Sequence, residues 1–214
     1  VRDLREQIAA ERRADAAAGR LDSDLAGAVL RWETAAVEAA LAFATRAGVV
    51  AAGNDGIAFT HDLLRETIDE RVIGHRRAHL HQAIGAALEE RQHRGDDVAP
   101  AEIARHFVAA IGVDGPARAV RWARAAARAD LAALAFVEAA GHLRRLRAAI
   151  AGIEQPIDDV ELVDVLVAEA DAHARAGNPV EARGLLHHAA DVADRTDDAG
   201  RVAQVALAIA SLGA

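Results

Sequence analysis

Ile57-Ala58-Phe59-Thr60-His61-Asp62-Leu63-Leu64-Arg65-Glu66, followed by Arg76-Arg77-Ala78-His79-Leu80-His81, decides how this chain folds. The first segment opens as a short apolar strand and changes to helical spacing at Thr60, which is placed to cap the next helix. Asp62 falls in that helix's first turn, where the dipole favours a carboxylate. Upstream, Val49-Val50-Ala51-Ala52 and the turn Gly53-Asn54-Asp55-Gly56 complete a β-hairpin, because Asn, Asp and Gly tolerate the positive φ of tight turns. Before the hairpin, Leu25, Val29 and Leu30 predict one short helix. Ala36, Val37, Ala40, Leu41 and Ala44 predict a second, stopped by Gly48. Helix, helix, hairpin, helix is the order of a small winged-helix-like domain over residues 21–74. Residues 1–20, with Leu4 and Ile8 at helical spacing and little else to bury, read as a connector or marginal helix.

Residues 75–214 carry only helical patterns. Ile73, Leu80, Ile84, Ala87 and Leu88 form a stripe running to about Arg94. Pro100 suits a first helical position ahead of Ile103, Ala104, Phe107 and Val108. After Gly115-Pro116 come a helix burying Val120, Ala123, Ala127 and Leu131, and a partner with Phe136, Ala139, Leu143 and Leu146. Asp158 with Glu161 makes a capping box for a helix lined by Val163, Leu166, Val167 and Ala170. Gly177 ends that helix, and Asn178 caps the next, which buries Ala182, Leu185, Leu186, Ala189 and Val192. A last helix starts near Val202. Phe-Val-Glu-Ala before and including Ala139, and Pro-Val-Glu-Ala at Ala182, lie roughly 43 residues apart, a period of two-helix repeats. The expectation is a mainly α chain: the hairpin-bearing domain, then a tetratricopeptide-like superhelix of lengthened repeats whose stacked pairs make a binding surface.

Absent residue types narrow the function. The chain has no Cys, Lys, Tyr or Met. Thiolate nucleophiles, Cys-based zinc sites, the Lys of a P-loop and Schiff-base chemistry are therefore excluded within it. Alanine, about a quarter of the residues, favours closely packed helices. A net charge of −8 works against wrapping a phosphate backbone. No apolar run reaches the roughly 20 residues needed to cross a bilayer, so no membrane role and a cytoplasmic location are expected. A start at Val1 without Met suggests an internal piece of a longer protein.

The segments Phe59 to Glu66, Arg76-Arg77 with Leu80-His81, Ala104-Arg105-His106-Phe107 and Ala119-Val120-Arg121-Trp122-Ala123 together resemble the middle of large LuxR-family regulators. These are signal-transduction ATPases related to the maltose-regulon activator. The resemblance covers about Leu30 to Leu212; Ile68 and Val137 stand where the family tends to carry Tyr, and Leu146 where it tends to keep a small residue. It implies a non-catalytic regulatory midsection placed after an NTPase and before a DNA-binding helix-turn-helix. The partners implied are those modules of the same polypeptide and a protein or small-molecule inducer on the repeat surface. No cofactor is implied here, since ATP would sit on the upstream module. Arg65, Arg76, Arg77, His81 and Trp122 are the expected contacts between modules or with a partner. The alternatives are a stand-alone helical-repeat adaptor and the equivalent segment of a kinase or nucleotide cyclase.

Other candidates have simpler readings. His75 and His79 lie one helical turn apart, as metal ligands would, but His81 points elsewhere and no carboxylate completes the site. His187 with Asp191 is an ordinary helix-surface pair. His61-Asp62 imitates a catalytic dyad but sits at a helix start with no activated Ser at a recognisable spacing. The presumed recognition helix of the winged domain, His61 to Glu70, carries four carboxylates against one Arg, so direct nucleic-acid binding is not expected. Asp96-Asp97, Asp158-Asp159 and Asp197-Asp198 read as turn and capping chemistry. Trp32 and Trp122 are expected to pack between helices.

Overall fold

The computed structural model describes residues 20–53, 56–154 and 157–212. The chain is mainly helical with one β-hairpin, and it divides into two units, residues 1–76 and 77–214.

In the first unit the elements run β1 (Arg20–Leu21), α1 (Ser23–Leu30), α2 (Thr34–Arg46), β2 (Val50–Gly53), β3 (Gly56–Phe59) and α3 (Asp62–Arg71). Asp22 caps α1, its carboxylate accepting the Leu25 N–H at 2.8 Å. β2 and β3 pair antiparallel in the register Val50 to Phe59 and Gly53 to Gly56; Asn54 and Asp55, the expected turn residues, lie outside the described residues. β1 adds to the other side of β3 through Arg20 with Ala58 and Leu21 with Ile57, giving the sheet order β1-β3-β2. This strand was not expected from the sequence, because two residues show no alternation and their pairing is tertiary. The rest of segment 1–20 lies outside the described residues.

Two expectations about this unit are corrected. Thr60 does not cap α3: its hydroxyl donates to the carbonyls of Gly48 at 2.7 Å and Val49 at 3.2 Å, tying the end of β3 to the start of β2. Trp32 does not pack between helices; it sits in the α1–α2 turn and is 49% exposed.

The second unit is built from α4 (Gly74–His93), which begins just before the unit boundary, α5 (Pro100–Ala109), the one-turn α6 (Ile111–Asp114), α7 (Pro116–Ala132), α8 (Phe136–Ile150), α9 (Asp159–Arg175), α10 (Pro179–Ala193) and α11 (Ala199–Leu212). Ile73, expected on the apolar stripe of α4, precedes that helix and is exposed. Successive helices pack on one another and are joined by short turns, so neighbours run antiparallel.

Pairs α7–α8 and α9–α10 are one unit used twice. Their first helices are both 17 residues long and their second both 15, and every boundary recurs after 43 residues: Pro116 and Asp159, Ala132 and Arg175, Phe136 and Pro179, Ile150 and Ala193. The connecting turn recurs as well. In the first pair Ala135 donates its N–H to the Asp130 carbonyl and Leu134 to that of Leu131; in the second Asn178 bonds His173 and Gly177 bonds Ala174. This is a Schellman cap, whose penultimate residue must be left-handed. Leu134 has φ 61° and Gly177 has φ 80°. Asn178 precedes α10 but makes no side-chain cap bond, whereas Asp158 caps α9 by accepting the Glu161 N–H at 2.7 Å.

The core follows the same period. Val120 and Val163, Ala127 and Ala170, and Ala139 and Ala182 are equivalent and buried. Leu146 is fully enclosed, its bulk matched by Ala123 on α7; in the second pair Leu166 on α9 accompanies Ala189 on α10. Large and small residues thus exchange places between the two pairs at nearly constant volume.

Candidate functional site

The second unit sets its alternate helices side by side, and polar rungs join them. Glu89 on α4 accepts the Trp122 indole N–H at 2.6 Å and a short hydrogen bond from Arg121, with the Arg118 guanidinium at 3.6 Å, all three from α7. Arg118 also holds Asp114, which accepts the Gln82 amide at 2.8 Å, and lies 4.6 Å over the Phe107 ring. On α9, Asp164 receives Arg124 from α7 at 3.5 Å and Arg201 from α11 in a short contact; Arg201 is steadied by Gln204 at 2.8 Å. The signs alternate because the repeat reverses them. Arg118, Arg121 and Arg128 on α7 correspond, 43 residues on, to Glu161, Asp164 and Asp171 on α9.

Between these helices lies a cavity of about 390 Å³, with Arg124 from α7, Val167, Ala168 and Asp171 from α9, Leu186 from α10, and Gln204, Ala208 and Leu212 from α11. A lining that mixes apolar side chains with charged and amide groups suits an amphipathic guest. Arg124 makes a single long contact to Asp164, so most of its guanidinium donors remain for such a guest.

Two neutral histidines form networks that the sequence did not reveal. His81 Nδ1 lies 2.9 Å from His106 Nδ1, and Arg105 approaches His106 Nε2 at 3.1 Å. A guanidinium only donates, so His106 Nε2 accepts, its Nδ1 carries the proton, and His81 Nδ1 receives it. Burial first, then the positive charge of Arg105 and the neighbouring His81, push the His106 pKa down to about 3. By the same logic Arg145 donates to His142 Nδ1 at 2.9 Å, and His142 Nε2 faces Asp130 at 3.1 Å; burial and Arg145 lower its pKa. The repeat counterparts of Asp130 and His142 are His173 and Leu185. His173 has two buried ring nitrogens without a hydrogen-bond partner among the described residues, and it borders a second cavity of about 510 Å³ with Arg144 and the start of α10.

The residues singled out as contacts lie in different settings. Trp122 is buried with its indole committed to Glu89, and His81 is half-buried against His106. Arg77 is half-buried and Arg76 exposed on α4, and Arg65 is exposed on α3. Within the second unit, Arg77, His81 and Trp122 are not among the residues that line the cavity between α7, α9 and α11. The residues that do line it, Arg124, Asp164 and Gln204, escaped the sequence reading. The sign reversal at one repeat interval, Arg121 against Asp164, could have found Asp164; Arg124, whose counterpart is Val167, and the uncharged Gln204 carry no such signal. His75 and His79 are exposed on α4, and among the described residues no group of three or more His, Asp or Glu could hold a metal. Ser211, on α11, donates its hydroxyl to the Ala208 carbonyl at 2.8 Å and not to the His142–Asp130 pair of α7 and α8.

The second unit is thus a helix-pair array with a cavity of mixed polar and apolar lining, and the first is a small hairpin-bearing unit. No protein-family model matches the chain, and no curated protein or solved structure matches it. Among the described residues no helix is long and apolar enough to cross a membrane.

Proposed function

We propose that this chain is a non-catalytic regulatory and interaction segment of a LuxR-type regulator, with tetratricopeptide-like repeats that receive an inducer or partner and couple its binding to an NTPase elsewhere in the polypeptide. The observation that carries the reading is the cavity built by alternate helices α7, α9 and α11, with its mixed lining of apolar side chains and Arg124, Asp171 and Gln204. The ionic rungs at Asp164 join all three helices, so a guest in the cavity favours one spacing of the pairs over another, and its differential affinity sets the shift. Helix α2 carries one acid, Glu38, and one base, Arg46, and α3 carries more carboxylates than Arg, so neither offers phosphates a cationic stripe, which supports a role in contacting protein.

The test uses the full-length protein. Its reading frame is expected to place a Gly-rich P-loop before this segment and a helix-turn-helix after it. Ser211→Trp, at an exposed position that lines the cavity, is expected to fill it and abolish inducer-stimulated nucleotide hydrolysis while leaving the basal rate. A frame with neither module, or an unaltered response in the filled variant, refutes the proposal.

A further inference from the structure

The two helix pairs supply an internal comparison at the turn between their helices. In the first, Asp130 on α7 faces His142 on α8 at 3.1 Å, and Arg145 donates to the other nitrogen of that ring. In the second, the equivalent places hold His173, Leu185 and His188, so the imidazole stands on the first helix and leucine takes the place from which His142 reaches Asp130. Both His173 ring nitrogens are buried and bond nothing among the described residues. Buried polar groups are nearly always paired, and one that is not calls for a partner from elsewhere. The ring borders the cavity of about 510 Å³ at the start of α10, with Arg144 from α8, Asn178 from the turn and Glu181 from the first turn of α10. Pro179 stands there in place of Phe136, an exchange that removes an aromatic ring from this end of the second pair. Arg144 and Glu181 have opposite charges yet form no ion pair with each other or with any other described residue, Glu181 acting on Arg147 through space only. The Asn178 side chain makes no cap bond to α10. One cavity thus holds a cation, an anion, an amide and an imidazole, none with a hydrogen-bond partner of its own among the described residues.

We propose that this cavity is a second ligand site, sharing no lining residue with the cavity between α7, α9 and α11, and that it takes a free α-amino acid with a side-chain amide. Arg144 holds the carboxylate through parallel N–H donors, Glu181 receives the ammonium group, and His173 and Asn178 meet the amide. Glu181 repels a simple anion and Arg144 a simple cation, so the lining selects a guest that carries both charges. A neutral imidazole offers one N–H and one acceptor nitrogen, and a primary amide offers both kinds of group, so the two match in either tautomer. No hydrogen bond holds the His173 ring, so turning it about its Cβ–Cγ bond to bring a nitrogen to the guest breaks none.

Equilibrium dialysis of the full chain against radiolabelled L-glutamine tests the assignment. Saturable, stoichiometric binding is expected, weakened at least tenfold in Arg144→Gln, in Glu181→Gln and in His173→Leu. The first two changes fall at exposed positions, and the third removes unpaired buried nitrogens, so circular dichroism melts of all three are expected to show an intact fold. Butyrate and butylamine, with one charge each, should compete at least tenfold less well than unlabelled L-glutamine, and Ser211→Trp, in the other cavity, should bind as the parent does. Absence of saturable binding, parent-like affinity in the three variants, competition by butyrate equal to that of L-glutamine, or binding lost in Ser211→Trp overturns the proposal.

Discussion

Leu134→Gly is expected to stabilise the protein although it removes a whole apolar side chain. Leu134 sits at φ 61° in the turn between α7 and α8, and its repeat counterpart Gly177 sits at φ 80° in the same hydrogen-bonded cap. A left-handed conformation costs an L-residue about 1–2 kcal/mol. Glycine returns about 0.5–1 kcal/mol of this through the extra freedom of the unfolded chain. Leu134 is 73% exposed, so little burial is forfeited. The net gain is about 0.5–1 kcal/mol, or a rise of about 2–4 °C in Tm for a unit of this size. The reciprocal change, Gly177→Leu, is free of steric conflict, since a Cβ there meets nothing within 4 Å. Its cost is the same balance with the sign reversed, about 0.5–1 kcal/mol. Urea denaturation followed by far-UV circular dichroism measures both at constant m-value. A destabilised Leu134→Gly or a neutral Gly177→Leu would refute the equivalence of the two turns.

Further expectations concern buried polar groups. Arg147 bonds the fully buried Glu169 through Nε at 2.8 Å and a second nitrogen at 3.0 Å, and the Glu169 carboxylate raises the Arg147 pKa. Arg147→Ala strands that carboxylate and is expected to cost about 3–5 kcal/mol; Glu169→Ala, which restores the residue found at Ala126 and leaves a partly hydrated guanidinium, costs less, and equal urea midpoints would contradict this. His173→Leu removes two buried ring nitrogens lacking partners and is expected to stabilise by about 1 kcal/mol, a loss in thermal melts being the contrary result. His106 titrates at about 3 in the fold and 6.5 in the unfolded chain, so the unfolded chain takes up the proton first as pH falls. Its contribution is complete above pH 6.5 and declines towards pH 3, by about 2 kcal/mol at pH 5; stability measured from pH 7 to 5 should fall less steeply in His106→Leu, and parallel curves would show that His106 is not responsible.

Long helices with strong period were legible in the sequence: Val120, Ala123 and Ala127, or Leu185, Leu186 and Ala189, repeat at helical spacing, and Asp158, Pro100 and Pro116 mark starts that the structure keeps. The pairing of Arg20–Leu21 with β3 was not, because a two-residue strand is defined by its neighbour and not by its own pattern. Thr60 reads equally well as a helix cap or a hairpin tie, and only the proximity of Gly48 and Val49 decides. The candidate site was hardest to read. Arg124, Asp164 and Arg201 are unremarkable on three separate helices, and His81 and His106 meet across 25 positions of sequence. The resemblance at Arg76-Arg77 and Trp122 drew attention to residues whose setting is the framework of α4 and α7, not the cavity.

Spin labels test the side-by-side array most directly, because the chain has no native Cys and labelled positions are unambiguous. Arg128 on α7, Asp171 on α9 and Ser211 on α11 are equivalent and exposed. Pulsed dipolar spectroscopy on Arg128→Cys with Asp171→Cys, and on Asp171→Cys with Ser211→Cys, should give two similar, narrow distributions below about 25 Å, as packed helices 8–10 Å apart require. Broad distributions, or distances beyond about 35 Å, would contradict a register in which alternate helices share one face.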